Sequence, residues 1–454
     1  MHPVLILLLG MATVLGAIIL LRLNAFLALI AAAVLVSLLA PGEAATRIPR
    51  VAEAFGRTAG SIGIVIALAA IIGKAMMDSG AADRVVAAFL SVLGEKRAHT
   101  ALQASGFVLS IPVFFDTVFY LLIPLARSMY TRTKRNYLMY LMAVAAGGVA
   151  THTLVPPTPG PLAVAGILGV DLGMMIVVGV LVAVPASAVG MLYGRWTDRR
   201  MPIPLRTEAG GVPEPDAPLL RELPGLVPAF LPIILPVLLI SGNTIATSRA
   251  ASGETSAFIE LFAVLGNANL ALFLSAAIAM WVYWRERKPN RLQMAAMVET
   301  ALMSGGVIIL ITAAGGAFGA MLQAAGIGPE IQRLFGGDGT APGMIFLLLA
   351  FSVSSLMKIA QGSSTVAMIT TAGMLAAMIE GAGALPYHTV YIATAIAGGS
   401  LVGSWMNDSG FWVFTKMGGL TEIEGLKSWT PLLAVVGCAS MVMTLALAML
   451  LPLV

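Results

Sequence analysis

The sequence predicts an all-α, polytopic membrane protein made of two inverted repeats, each with a re-entrant hairpin and an interrupted transmembrane helix. Three observations predict it: apolar runs of spanning length recur, basic residues gather in clusters that fit one membrane face, and one stretch returns 246 residues later (306 − 60 = 246). Of the 454 residues, 59% are hydrophobic and 11% charged, with a mean hydropathy of +0.94. A bilayer is the solvent that such a composition fits.

Taken in order, the runs that approach the ~20 residues of a spanning helix are 3–21, 24–40, 59–77, 137–155, 172–193, 223–245, 268–284, 303–322, 386–406 and 429–454. The first has no basic region before it and carries Arg22 on its far side, so it reads as a helix rather than a cleaved signal. The single Cys438 cannot form an intrachain disulfide and is expected to pack inertly in an apolar helix.

Basic clusters lie at Lys96 and Arg97, at 127–135, at 195–206 and at 285–291, and the positive-inside rule assigns all of them to the cytoplasm. The net charge of +4 then records orientation rather than an anionic partner. Two spans separate 135 from 195, and two more separate 206 from 285. Residues 98–126 must therefore enter the membrane and turn back, at a polar break containing Ser110, Pro112 and Asp116. Such a hairpin is tolerated where its tip is buried in protein or faces a cavity. Counting outward places both termini in the periplasm.

Residues 60–80 lie over 306–326 without gaps, Gly73 meeting Gly319. At the same offset Asp116 and Thr117 meet Gly362 and Ser363, and Gly147-Gly148 correspond to Gly398-Gly399 after a small insertion. Beyond those glycines, HTLVPPTPG (152–160) lies opposite GSWMNDSG (403–410). The first hairpin opens from the cytoplasm and the second from the periplasm, so the repeats are inverted. The organisation that follows is a first half at 1–197 (hairpin about 98–126, broken helix about 137–171), a cytoplasmic linker at 198–224, and a second half at 225–454 (hairpin about 341–381, broken helix about 386–418). Paired broken segments of this kind point to a secondary transporter with a midplane site.

The candidate site residues gather at the breaks. Gln361, Gly362, Ser363, Ser364 and Thr365 offer hydroxyls and backbone N–H groups where a helix restarts, a setting suited to a carboxylate. The plainer alternative is hydroxyls bonded back to the preceding turn. Lys358 is either the counter-cation for a substrate carboxylate or a side chain that snorkels toward an interface or pairs with an internal acid. Asp116, flanked by Phe114, Phe115 and Phe119, and Asp408 are the candidate proton carriers. Asn407 and Ser409 can bond substrate hydroxyls, and these polar residues at membrane depth demand a polar partner or cavity. Opposite them, His152, Thr153 and Thr158 stand among prolines that free backbone carbonyls. Those carbonyls leave sodium open as the coupling ion.

No HExxH, P-loop or CxxC pattern occurs, and the four histidines show no ligand spacing, so neither a metal site, a cofactor nor an enzyme is expected. His152 with Ser404 is the one weak pair a membrane enzyme could use. A passive facilitator or channel for small organic anions is the second reading.

Several longer motifs resemble the gluconate permease family of proton symporters: SIPVFFDT (110–117), AQGSSTVA (360–367), NDSGFW (407–412) and KSWT (427–430). The resemblance runs from the first helix to the last. It implies uptake of gluconate or a related small hydroxy monocarboxylate with protons across a bacterial inner membrane, while D-serine or glycerate remain alternative substrates. The ion transporter superfamily that this family resembles implies a scaffold, a mobile transport domain and a homodimer working as an elevator. No nucleic acid partner is implied.

Overall fold

The computed structural model describes residues 2–94, 97–206, 223–251, 256–327, 330, 343–381, 385–406 and 408–454. Lys96, Asn407 and residues 207–222 of the expected linker lie outside the described residues. Helices α1 (Pro3–Leu15) and α2 (Ala25–Leu39) pair at the start of the chain. The Asn24 side chain opens α2 by accepting the Phe26 N–H at 2.9 Å. Its other end is closed by arginines: Arg47 donates to the Leu38 carbonyl at 3.0 Å, and Arg50 to Ser37 Oγ at 2.7 Å and to the Pro41 carbonyl at 2.8 Å. These side chains satisfy carbonyls that a helix end leaves without partners.

Helix α3 (Pro49–Ser79) stops at Gly80, whose φ of +84° suits glycine, and α4 (Ala81–Leu93) follows. The first hairpin is α5 (Ala98–Leu109) and α6 (Phe115–Thr133), broken around Pro112. Next come α7 (Tyr137–Leu154) and α8 (Pro159–Leu168). Between them Pro156 and Pro157 cannot donate to the helical ladder, while Pro159 suits the first position of the new helix. Then α9 (Leu172–Arg200), α10 (Leu226–Ala251), α11 (Ala257–Leu265), α12 (Ala268–Arg287) and α13 (Arg291–Ala324) complete the middle of the chain. The second hairpin, α14 (Gly343–Gln361) and α15 (Ser364–Gly381), breaks at Gly362 with φ +89°. Finally α16 (Val390–Gly399) gives way to an irregular stretch, the short α17 (Ser409–Trp412) with a π-helical turn, and α18 (Glu422–Leu450).

No strand occurs among the described residues. Among the described residues, six helical segments are long and apolar enough to cross a membrane: Tyr137–Leu168, Leu172–Arg200, Leu226–Thr247, Ala268–Arg287, Arg291–Ala324 and Glu422–Leu450. The protein is an all-α polytopic membrane protein. Three details differ from expectation. Residues 386–406 are no continuous span, because α16 ends at Gly399 and the chain turns at Gly403 with φ +82°. Helix α13 begins at Arg291 rather than Met303, since Asn290 and Gln293 form a capping box there; at 1.5 Å per residue its 34 residues extend about 51 Å. Cys438 is exposed on α18 rather than packed.

The loops sort to two ends of the molecule. At one end Arg195 donates to His99 (2.7 Å), Arg206 pairs with Glu424 (2.6 Å), Arg127 donates to the Met417 carbonyl (2.7 Å), and Tyr137 donates to the Gly418 carbonyl (3.0 Å). At the other end the His388 N–H donates to the Pro452 carbonyl at 2.8 Å, and the Tyr387 hydroxyl donates to the Gly343 carbonyl. Helix α18 runs from the first end to the second. Hairpin α5–α6 therefore opens at the first end and α14–α15 at the second.

Where α3 crosses α13, small residues let the helices approach. A Cβ on Gly63 would stand 3.7 Å from Ile309, and one on Gly305 would stand 3.4 Å from Ala70. Thr58 covers Gly316 in the same way. At the sequence offset Gly63 matches its own neighbour (63 + 246 = 309), while Ala70 matches Gly316 (70 + 246 = 316). Thr58 falls one position short of matching Gly305 (58 + 246 = 304), so the contacts are exchanged only approximately. Both helices also hold a hairpin through a glycine: a Cβ on Gly73 would lie 2.8 Å from the Pro112 carbonyl, and one on Gly319 2.9 Å from the Gly373 carbonyl.

Candidate functional site

Both hairpin tips and both interrupted helices border one cavity of about 310 Å³. The first hairpin contributes Phe114, Phe115 and Asp116, and α7 contributes His152 and Thr153 just before its break. Ser363, Ser364 and Thr365 come from the second tip, and Asp408, Ser409 and Gly410 from the restart at α17. Ile308, Ile311, Ile369, Leu401, Leu433 and the Trp429 ring supply apolar walls. A wider recess of about 910 Å³ near Trp284 and Met303 is lined by none of the predicted site residues.

Asp408 is the most heavily bonded group here. It caps α17, accepting the Gly410 N–H at 3.0 Å, and it pairs with Lys358 through an Nζ to Oδ2 distance of 2.7 Å. The Ser404 hydroxyl donates to the same Oδ2, and Ser404 in turn accepts the Trp429 indole N–H at 2.7 Å. Lys358, only 1% exposed, also donates to the Gly362 carbonyl at 2.5 Å. The ammonium thus joins the second hairpin tip to the second interrupted helix. A buried charge is tolerated when paired and bonded in this manner. Lys358 is thus buried against an internal acid rather than extended to an interface.

Asp116 stands in the first turn of α6 and, among the described residues, has a long 3.5 Å contact from the Ser409 hydroxyl. His152 Nδ1 is buried without a partner, and the ring lies 6.0 Å from that of Phe114. Thr153 bonds back to the Val149 carbonyl at 2.7 Å, the plainer of the two hydroxyl roles. Ser364 donates to the Ser400 carbonyl at 2.8 Å, tying the tip to the far break. Thr158 is not brought to the cavity, because its hydroxyl donates to the Val155 carbonyl at 2.6 Å and closes the first break locally. Gln361 ends α14, and its side chain lies outside the described residues with Asn407.

Two residues beyond the predicted set complete the site. Ser404 stands four positions before Asp408, a spacing that permits side-chain contact. It had a place only as a weak partner for His152. Trp429 is in the KSWT motif, yet nothing local in the sequence shows that its indole N–H points at Ser404.

Comparisons with known proteins agree with this architecture. The chain is 35% identical over 416 residues to an uncharacterized permease of Haemophilus influenzae, covering 89% of this chain and 83% of the relative. It is 31% identical to a gluconate permease of Pseudomonas aeruginosa, covering 99% of each. Among solved structures, the Alcanivorax borkumensis YdaH transporter superposes with a TM-score of 0.65 at 15% identity, covering 100% of both chains. That likeness shows the fold. Residues 2–450 match the profile of the GntP family permeases, and the chain belongs to that family, a transporter rather than an enzyme.

Proposed function

We propose that the protein is a secondary active transporter of a bacterial inner membrane, importing gluconate or a closely related small hydroxy monocarboxylate together with a proton. The observation that carries this reading is that α15 begins at the cavity, at Ser363 to Thr365, with Asp116 among the other lining groups. Helix α6 begins there too, but its first turn carries its own carboxylate, Asp116. At the matching position of the second hairpin stands Gly362 (116 + 246 = 362). The Ser363 hydroxyl accepts the Val366 N–H at that second helix start, and with no carboxylate of its own in this turn the start suits the acid group of a ligand.

Charge then argues for the proton. Lys358 and Asp408 neutralise each other, so an ionised Asp116 leaves the cluster with one net negative charge. A substrate anion entering the same cavity would add a second, and like charges in a desolvated space are costly. Protonation of Asp116 removes the repulsion, so substrate and proton favour each other's binding. Asp408, fixed by its ion pair, is the weaker of the two candidate carriers. Ser409, Thr365 and His152 are placed to bond the polyol chain. Hairpins that open at opposite ends, and the exchanged α3–α13 contacts, support inverted repeats and alternating access of the elevator kind.

Purified protein in liposomes should concentrate labelled gluconate above the outside level under an inward proton gradient. Uptake that stops at equilibrium would instead support the passive facilitator.

A further inference from the structure

The Lys358 ammonium occupies a place built by other groups. Among the groups around it are the Gly362 carbonyl, at the end of the half-helix α14, and Asp408 Oδ2, on the restart of the facing broken helix. Carbonyls at half-helix ends are what interrupted membrane helices use to hold an alkali cation. The carboxylate is fixed from its other sides by Ser404 and the Gly410 N–H, and Ser404 by Trp429. The cradle therefore does not owe its shape to the lysine alone. At the matching position of the first repeat the chain carries Pro112 (358 − 246 = 112), so the internal cation belongs to the second half only.

We infer that Lys358 is a tethered stand-in for a bound monovalent cation, locking the second hairpin tip onto the second interrupted helix, and that the same oxygens form a small-cation site once the ammonium is removed. The inference rests on this cradle and holds whatever hydroxy acid is carried. Wild-type protein has its cation covalently attached and needs no sodium at this position. Truncating the side chain at Cβ frees the volume of the propylammonium portion while leaving the carbonyl and carboxylate in place.

The test compares melting of purified Lys358→Ala in sodium chloride and in choline chloride at equal ionic strength, choline being too bulky for the vacated space. Sodium should raise the melting temperature saturably, by ~2–4 °C once well above its dissociation constant. Sodium should have no such effect on wild-type protein, or on the Lys358→Ala/Asp408→Asn double variant, which lacks the carboxylate charge. A variant that aggregates in choline but is soluble in sodium gives the same answer. Equal behaviour of Lys358→Ala in both salts, whether folded or aggregated, overturns the inference. So does an equal sodium effect in the double variant, because it puts the ion elsewhere.

Discussion

Asp116 and Asp408 are chemically the same side chain, yet their surroundings assign them different work. Asp408 accepts from Lys358, Ser404 and the Gly410 N–H, whereas Asp116 has one long contact from Ser409. An Asp116→Asn variant should therefore still exchange gluconate across liposome membranes, because the amide stands in for the protonated acid. It should lose gradient-driven accumulation, the inside-to-outside ratio falling to about one. Accumulation that persists in this variant would remove Asp116 from coupling. The tips and breaks were legible because polar residues inside apolar runs are conspicuous and expensive. Pairing of Lys358 with an internal acid was open as one alternative, but not that the acid is Asp408, since fifty positions separate the two and a single sequence does not encode which distant groups meet. Thr158 shows what a sequence leaves out locally: a hydroxyl three residues after a freed carbonyl can satisfy it within the turn.

Elements are held in place by how closely their backbones approach, and glycines measure that. A Cβ on Gly147 would run into the Gln103 backbone of α5, and one on Gly399 into the Phe351 backbone of α14, so each interrupted helix presses on the first arm of its hairpin through a glycine. Gly147→Ala should cost ~1–3 kcal/mol or more, since neither backbone can yield easily. Gly56→Ala, on an open face of α3 with no atom within 4 Å, should be neutral or gain ~0.5–1 kcal/mol through reduced chain entropy. Melting temperatures of the two variants in one detergent should move apart accordingly; a common shift would contradict the packing. The sequence revealed these glycines through their recurrence. It hid the end of α16, because 386–406 is as apolar as a real span and only the turn at Gly403 betrays the stop.

For the whole molecule, the two hairpin mouths are the feature to test. In a Cys438→Ser background, Thr131→Cys lies near the mouth of the first hairpin and Pro386→Cys near that of the second, both at exposed positions. A membrane-impermeant maleimide added to intact cells should label Pro386→Cys and spare Thr131→Cys. Labelling of both from outside would end the opposed-mouth topology, and the reverse pattern would invert its orientation. Charge counting leads to the same expectation of opposed mouths; Arg47 and Arg50 lie away from the other basic clusters, where their side chains bond the end of α2. The meeting of α3 with α13 at Gly63 and Ile309 carries a consequence for energetics. Were the halves identical about that contact, the inward-facing and outward-facing carrier would be mirror states of equal free energy. Only their departures from likeness can set a resting preference: Lys358 against Pro112, and Asp116 against Gly362. In the proposed alternating-access cycle, the side on which the empty carrier waits would be set by such departures from likeness rather than by the many residues that build the frame.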